Sequence, residues 1–337
     1  MATISEVAER AGVSVKTVSR VMNDYQHISE KTRTKVNKAM EELSYAPSSI
    51  ARQMRLGDTQ SIGMLYGDPS SGYQARLNHA VLKACSDARR YLAVEFFDEA
   101  DPDWRRQLEA FLDRTKVRNL ILVPPMCDSS ELHSLLRERD VRTVLISPSR
   151  QISGSSSIAM DDRQAAMEMT NHFITLGHKN IAHISGDPGH VVTLLRKQGF
   201  REALKSAKIS LRPDNIIAAE SFRFKDAMAC AETLLSRPDR PTAIFACNDE
   251  MAAAVIMVAN RLGISVPGEL SVAGFDNTPI SETLWPSLTT VAQPFSQIAY
   301  EAVKLVSRRT GGDSNVSATH VLPHDILIRE STGPAPS

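Results

Sequence analysis

Residues 3–22 read TISEVAERAGVSVKTVSRVM, and this run decides the N-terminal fold. Thr3 and Glu6 stand at capping-box spacing, Ile4, Val7, Ala8 and Ala11 follow a helical period, and Gly12 ends it. Ser14 can cap a second helix carrying Val15, Val18, Val21 and Met22, separated from the first by only a Gly-Val-Ser turn. This is helix-turn-helix spacing. A third helix, capped by Ser29, runs through Thr32, Val36, Ala39, Met40 and Leu43, so that three apolar faces close a miniature core with Tyr45 completing it. With those residues inward, Lys16, Thr17, Ser19 and Arg20 are left outside, on a helix short enough to enter a major groove. Arg20 suits guanine, and Lys16 a guanine or a phosphate. Between residues 16 and 38, six Lys or Arg oppose only Asp24 and Glu30. The excess suits a polyanion, although a basic run of this kind also serves as a solvated helical face on an ordinary three-helix bundle.

Outward from this head, the 337 residues are 42% apolar and 23% charged with a net charge of +0, the make-up of a globular protein of about two domains at roughly 150 residues each. Cys85, Cys127, Cys230 and Cys247 lie far apart, with no C-x-x-C and no neighbouring histidine at ligand spacing, so free buried thiols and no metal site are expected. The opening MATISEVAERAG lacks the pattern of an export signal, and the longest apolar stretch, 251–258, is too short to span a membrane and reads as a buried helix bounded by Asp249, Glu250, Asn260 and Arg261. A cytoplasmic protein with no membrane partner is expected.

After Gly57-Asp58 the texture changes. SIGMLY, LAVEFF, NLILV, TVLI, SSIAM, IAHIS, AIFA and SVAG each precede a helical or loop segment, the signature of parallel sheets built from βαβ units. Ligands of such sheets bind beyond the carboxyl ends of the strands. VAGFDN puts Asp276 there, where a carboxylate can accept from two neighbouring hydroxyls or else merely bond its own turn. No dinucleotide fingerprint, phosphate loop, HExxH or GxSxG motif occurs, so neither catalysis nor a cofactor is expected.

The run TISEVAERAGVSVKTVSRVMND, followed by ISEKTRTKVNKAMEELSYAPSSIARQMR, closely resembles the head of the lactose-repressor (LacI/GalR) family of transcription factors. By that resemblance Thr3 is a phosphate contact, Val15, Lys16 and Arg20 are base-reading positions, Thr17 lies on the same face, and Ser19 and Asn23 make backbone or local contacts. Residues 47–54 resemble the family hinge, with Ser48, Ala51 and Met54 facing the minor groove. Ser48 replaces the usual Asn, and Met54 the usual Leu wedge, an apolar and flexible side chain still able to unstack a base step. The plain alternative is an interdomain linker.

The resemblance extends over nearly the whole chain. It implies an all-α helix-turn-helix head on an α/β, two-lobed body like that of periplasmic binding proteins: residues 1–46 as head, 47–58 as hinge, and 59–337 as effector-binding and dimerisation domain. The first lobe would take about 59–160 and 292–320, the second about 161–291 and 321–337. SGDPGHVVTLLRKQGF matches the family's Arg-x-x-Gly-aromatic pattern and places Arg196, whose fork of donors can grip ligand hydroxyl or carboxyl oxygens. Cys247-Asn248-Asp249 matches its Asn-Asp pair, with Asn248 toward ligand and Asp249 capping the next helix. Phe222 corresponds to a pocket aromatic, or alternatively to core, and Tyr73 to a first-lobe contact. Asp161-Asp162 resembles a hinge-strand acidic pair that couples the lobes, while His190 reads as a surface-loop histidine or, alternatively, as one facing the cleft. The implied function is a repressor that binds a pseudo-palindromic double-stranded operator as a homodimer or higher assembly, under control of a small effector, a sugar or sugar derivative. The alternatives are a solute-binding protein without a DNA role and a nucleoside- or purine-responsive corepressed regulator.

Overall fold

Helix α1 (Ile4–Ala11) starts on a reciprocal cap: Thr3 Oγ1 accepts from the Glu6 amide at 3.3 Å, and the Glu6 carboxylate accepts from the Thr3 amide at 2.6 Å. Gly12, at φ +63°, ends it in the left-handed conformation that glycine adopts without steric cost. Ser14 Oγ accepts from the Thr17 amide at 3.1 Å and opens α2 (Val15–Met22), and Ser29 caps α3 (Glu30–Glu42) in the same way. Val7, Ala8, Val18, Val21, Val36 and Ala39 form the small core, with Tyr45 packed against it. The computed structural model describes residues 2–22, 25, 27–43, 45, 61–67, 71–307 and 318–336. The chain divides into two units, Met1–Gln60 and Ser61–Ser337.

The second unit contains two six-stranded sheets. In chain order its strands are β1 (Ser61–Tyr66), β2 (Tyr91–Phe96), β3 (Asn119–Leu122), β4 (Arg142–Ile146), β5 (Ser156–Met160), β6 (Ile181–Ser185), β7 (Ile216–Ala218), β8 (Ala243–Ala246), β9 (Ser271–Asp276), β10 (Thr289–Ala292), β11 (Thr319–Leu322) and β12 (Asp325–Leu327). Its helices are α4 (Gly72–Asp87), α5 (Trp104–Thr115), α6 (Ser130–Glu138), α7 (Asp162–Thr175), α8 (Val191–Ser206), α9 (Phe224–Leu235), α10 (Asp249–Arg261), α11 (Ile280–Thr283) and α12 (Phe295–Val306). The first sheet has the order β11-β5-β4-β3-β1-β2 and is parallel throughout; the second runs β12-β10-β9-β8-β6-β7, with only β12 antiparallel. The chain therefore crosses between the sheets after β5, after β10 and after β11, and these crossovers gather strand ends from both lobes at one place.

Each lobe has its own core. The first packs Leu65, Phe111, Ile121 and Leu145 with α12, and the second packs Phe173, Phe200, Phe245 and Phe275 on one face of its sheet and Met251, Val255 and Val258 on the other. All residues of β3, β6, β8 and β9 are buried, which explains their largely apolar texture: helices cover both faces of a parallel sheet. One glycine sets a close helix contact. A Cβ on Gly199 of α8 would lie 2.0 Å from the Arg163 carbonyl oxygen of α7, so only glycine permits this approach. Among the described residues no helix is long and apolar enough to cross a membrane.

Candidate functional site

In the first unit α2 buries Val18 and Val21 and leaves Val15, Lys16 and Arg20 exposed, with Thr17 and Ser19 half-buried beside them. The Thr17 hydroxyl lies 2.9 Å from Ser14 Oγ and is thereby drawn into the helix cap. Arg20 rests its guanidinium over the Tyr25 ring at 5.3 Å, which restrains the side chain while leaving it exposed. Thr3 is engaged in the cap of α1. Asn23, Ser48, Ala51 and Met54, with the whole 47–58 segment, lie outside the described residues.

In the second unit a cavity of about 470 Å³ opens where the strand ends of the two lobes meet, within the usual range for small-molecule sites. Tyr73, Arg196, Phe222, Asn248 and Asp276 all line it. Its floor is a buried ionic cluster. Asp162 Oδ1 accepts from Arg196 Nε and Nη2, each at 2.8 Å, and Arg196 Nη1 donates to the Cys247 carbonyl at 2.6 Å. The guanidinium lies 3.5 Å above the Phe275 ring centre, and Nη2 stands 3.8 Å from Asp276 Oδ1, which also accepts from Gln293 Nε2 at 2.6 Å. Gly199 makes this possible: by letting α8 approach α7 it carries Arg196, one turn earlier, to the carboxylate that opens α7. The Arg-x-x-Gly-aromatic pattern thus encodes an ion pair across two helices.

The floor is electrostatically tuned. Burial pushes the Asp276 carboxyl up to about 7, against the opposing pull of Arg196 and with Asp249 raising it further. Burial likewise raises Asp249 to about 6, although hydrogen bonds from Thr290 and Thr278 oppose the rise. Asp162 is raised by burial, with Arg196 opposing, and the Tyr73 phenol is raised by burial and by the Asp276 and Asp162 charges. Asp276 also has φ +104°, followed by Asn277 at +53°, a backbone conformation costing on the order of 1–3 kcal/mol that persists when its surroundings hold it. Aromatic rings form the upper walls. Tyr73 leans on Phe295 at 5.4 Å, and Phe222 meets the His190 ring edge-on at 5.1 Å. A Cβ on Gly186 would lie 2.2 Å from the Phe222 ring, so glycine is required where that ring settles.

Two expectations need correction, and one open alternative is decided. Asn248, not Asp249, caps α10: its Oδ1 accepts from the Met251 amide at 2.8 Å while its Nδ2 donates to the Phe222 carbonyl at 3.1 Å. Asp249 is instead buried, tying Thr278 and Thr290 beneath the floor, where Gly274 makes room for it. Of the two readings of His190 the cleft-facing one holds, for it lines the cavity with Nδ1 3.3 Å from Asp187. The Arg196 fork is largely spent on Asp162 and Cys247, which leaves one N–H on each terminal nitrogen. Sequence reasoning missed Gln293 and gave Asp162 only a coupling role. Both sit at lobe crossovers, where the strand-end rule applied to β5 and β10 would have found them.

Comparison with known proteins agrees with this geometry. Residues 3–48 match the family model described as bacterial regulatory proteins, lacI family, and residues 170–332 match a periplasmic binding protein-like domain. The chain is 33% identical over 335 residues to the HTH-type transcriptional regulator DegA of Bacillus subtilis, covering 98% of each, and 31% identical over 331 residues to the HTH-type transcriptional repressor PurR of Photobacterium profundum, again covering 98% of each. Among solved structures it resembles the Lac repressor bound to ONPG (26% identity, TM-score 0.82, 98% of this chain and 99% of that one) and the regulator CelR in complex with cellobiose (27%, 0.72, 98% and 100%). With a helix-turn-helix head, a two-lobed body and relatives matched along almost their full length, the chain belongs to the lacI family of bacterial regulatory proteins and is an effector-controlled, DNA-binding transcriptional repressor.

Proposed function

We propose that the chain reads a pseudo-palindromic operator as a homodimer, α2 of each copy entering a major groove, and that a sugar or sugar derivative in the body cavity controls the binding. One small head contacts few base pairs, so adequate specificity needs two. The edge strand β2 supports pairing of bodies: it exposes Tyr91, Val94 and Phe96, and α4 beside it exposes Leu82, an apolar edge of a kind that isolated monomers avoid. The observation that carries the effector reading is the buried Asp162–Arg196–Asp276–Gln293 floor beneath aromatic walls. Carboxylates accept from hydroxyls, and rings cover the C–H face of a sugar. The cellobiose held by the similar regulator CelR supports the same class.

The cavity is lined from both lobes, so a bound effector biases their relative arrangement, and residues 47–58 pass that bias to the heads. Four buried free thiols fit a reducing cytoplasm. The test is operator binding by fluorescence anisotropy, with and without a panel of mono- and disaccharides that raise the melting temperature of the full chain. A stabilising sugar should change operator affinity, and operator should change sugar affinity by the same factor. Arg20→Ala should weaken specific binding by about 1–3 kcal/mol per half-site while sparing nonspecific binding. Equal loss on both would remove Arg20 from base reading.

A further inference from the structure

Among the described residues, the side chains lining the cavity include four carboxylates, Asp162, Asp187, Glu250 and Asp276, and two guanidiniums, Arg196 and Arg223. Arg196 is 3% exposed and committed to Asp162. On the floor, every bond that Asp162 and Asp276 make to described residues falls on Oδ1, whether from Arg196 or from Gln293. The Oδ2 atoms take no bond from a described residue, and both side chains line the cavity, so each keeps acceptor capacity for a ligand. Higher up, Asp187 Oδ1 takes the Gly189 amide and its Oδ2 faces His190, while Glu250 takes the Phe224 amide. Both acids are only partly buried and remain at the rim.

From this arrangement we infer that the cavity selects a non-anionic polyol, which gives hydroxyl or ammonium donors to the floor acceptors, and rejects phosphorylated or carboxylated forms of the same skeleton. The inference rests on the saccharide reading above and adds the charge class of the effector. An anionic oxygen over the floor would meet the carboxyl oxygens of Asp162 and Asp276 and a guanidinium already neutralised by Asp162. At the rim it would meet Asp187 and Glu250, against which the described lining sets Arg223 and the His190 ring. Rejection of this kind works through repulsion and unpaired acceptors, and it discriminates more sharply than a missing attraction does. An ammonium group at either level gains what a phosphate loses.

The test uses the full chain and a matched panel: glucose, ribose, galactose and cellobiose as parents, with the corresponding amino sugars, sugar phosphates and uronic or aldonic acids, each titrated by calorimetry. Binding is expected only among parents and amino sugars, with each acidic form at least about 100-fold weaker than its parent. A phosphate or acid that binds as tightly as its parent overturns the charge rule and leaves the saccharide reading standing. Silence from every member, parents included, counts against the saccharide reading and takes the charge rule with it. The double substitution Asp187→Asn/Glu250→Gln removes two rim charges while sparing the buried floor, and it should shrink the preference for amino sugar over phosphate by about tenfold. A preference left unchanged would overturn the part assigned to the rim.

Discussion

The two walls of the cavity differ in kind. From the first lobe the described lining is Gly67, Ser71, Tyr73, Gln74, Pro124, Pro125 and Ser147, none of them charged, whereas every charged residue of the described lining comes from the second. The second wall is also the more tightly built: Arg196, Asp162, Asp276 and Asn248 are all buried and bonded to one another or to backbone. A charged site works in a protein interior only when its partners are fixed beforehand, because a loose ion pair there does not recover its lost hydration. The first wall can be moved at low cost, since hydroxyls, an amide and rings exchange readily between ligand and water. On the effector reading proposed above, the difference makes one lobe the element that grips and the other the element that closes.

The strongest way to break this contrast is Arg196→Ala. Removing the guanidinium leaves Asp162 unpaired in the interior and exposes Asp276 to an uncompensated neighbour, so unfolding by urea should show a loss of about 3–5 kcal/mol. Arg196→Lys keeps a charge but not the fork, and should fall between wild type and alanine. A loss below about 1 kcal/mol for the alanine variant would mean that the gripping wall is not organised around this pair.

A second, smaller effect concerns pH. The Asp276 carboxyl stands at about 7 in the folded protein, above its ordinary value of 3.8. Between those values the native state holds more protons than the unfolded chain, so stability declines as pH rises from about 4 through 7. One such group contributes a slope of at most about 1.4 kcal/mol per pH unit. Asp249, raised to about 6, acts in the same direction. Asp276→Asn should therefore flatten the decline in urea stability between pH 5 and 7.5 without abolishing it. Equal slopes in the two proteins would show that Asp276 is ionised at its ordinary pH in the native state.

How legible each wall was in the sequence follows the same division. The helix-turn-helix head and the alternating strands could be read because caps, periodicity and apolar runs are local signals, as at Thr3, Gly12, Ser14 and AIFA. Arg196 and Asp276 stood out through their motif and strand-end position. What could not be read was whom Arg196 pairs with: Asp162 lies 34 residues away, and only the close approach at Gly199 joins them. For the same reason Asn248 and Asp249 exchanged roles, since two adjacent polar residues before a helix are equivalent as text until Thr278 and Thr290, folded beneath the floor, claim the second. His190 looked like a loop residue because its ring partner, Phe222, comes from another strand connection.

The finest discrimination between the walls comes from Tyr73. Its ring is anchored by Phe295, while its hydroxyl has no hydrogen-bond partner among the described residues. Tyr73→Phe keeps the packing and deletes only the hydroxyl, which the proposed function assigns to the effector, so folding stability should move by no more than about 0.5 kcal/mol. A neutral hydrogen bond lost to a bound sugar is worth about 0.5–1.5 kcal/mol, so affinity measured by calorimetry should fall by roughly threefold to tenfold. That pairing of outcomes is what a closing wall requires: contact with ligand that does not also hold the protein together. A Tyr73→Phe protein destabilised as much as Arg196→Ala would show that the phenol is part of the folded scaffold, and the division between a gripping and a closing lobe would no longer describe this cavity.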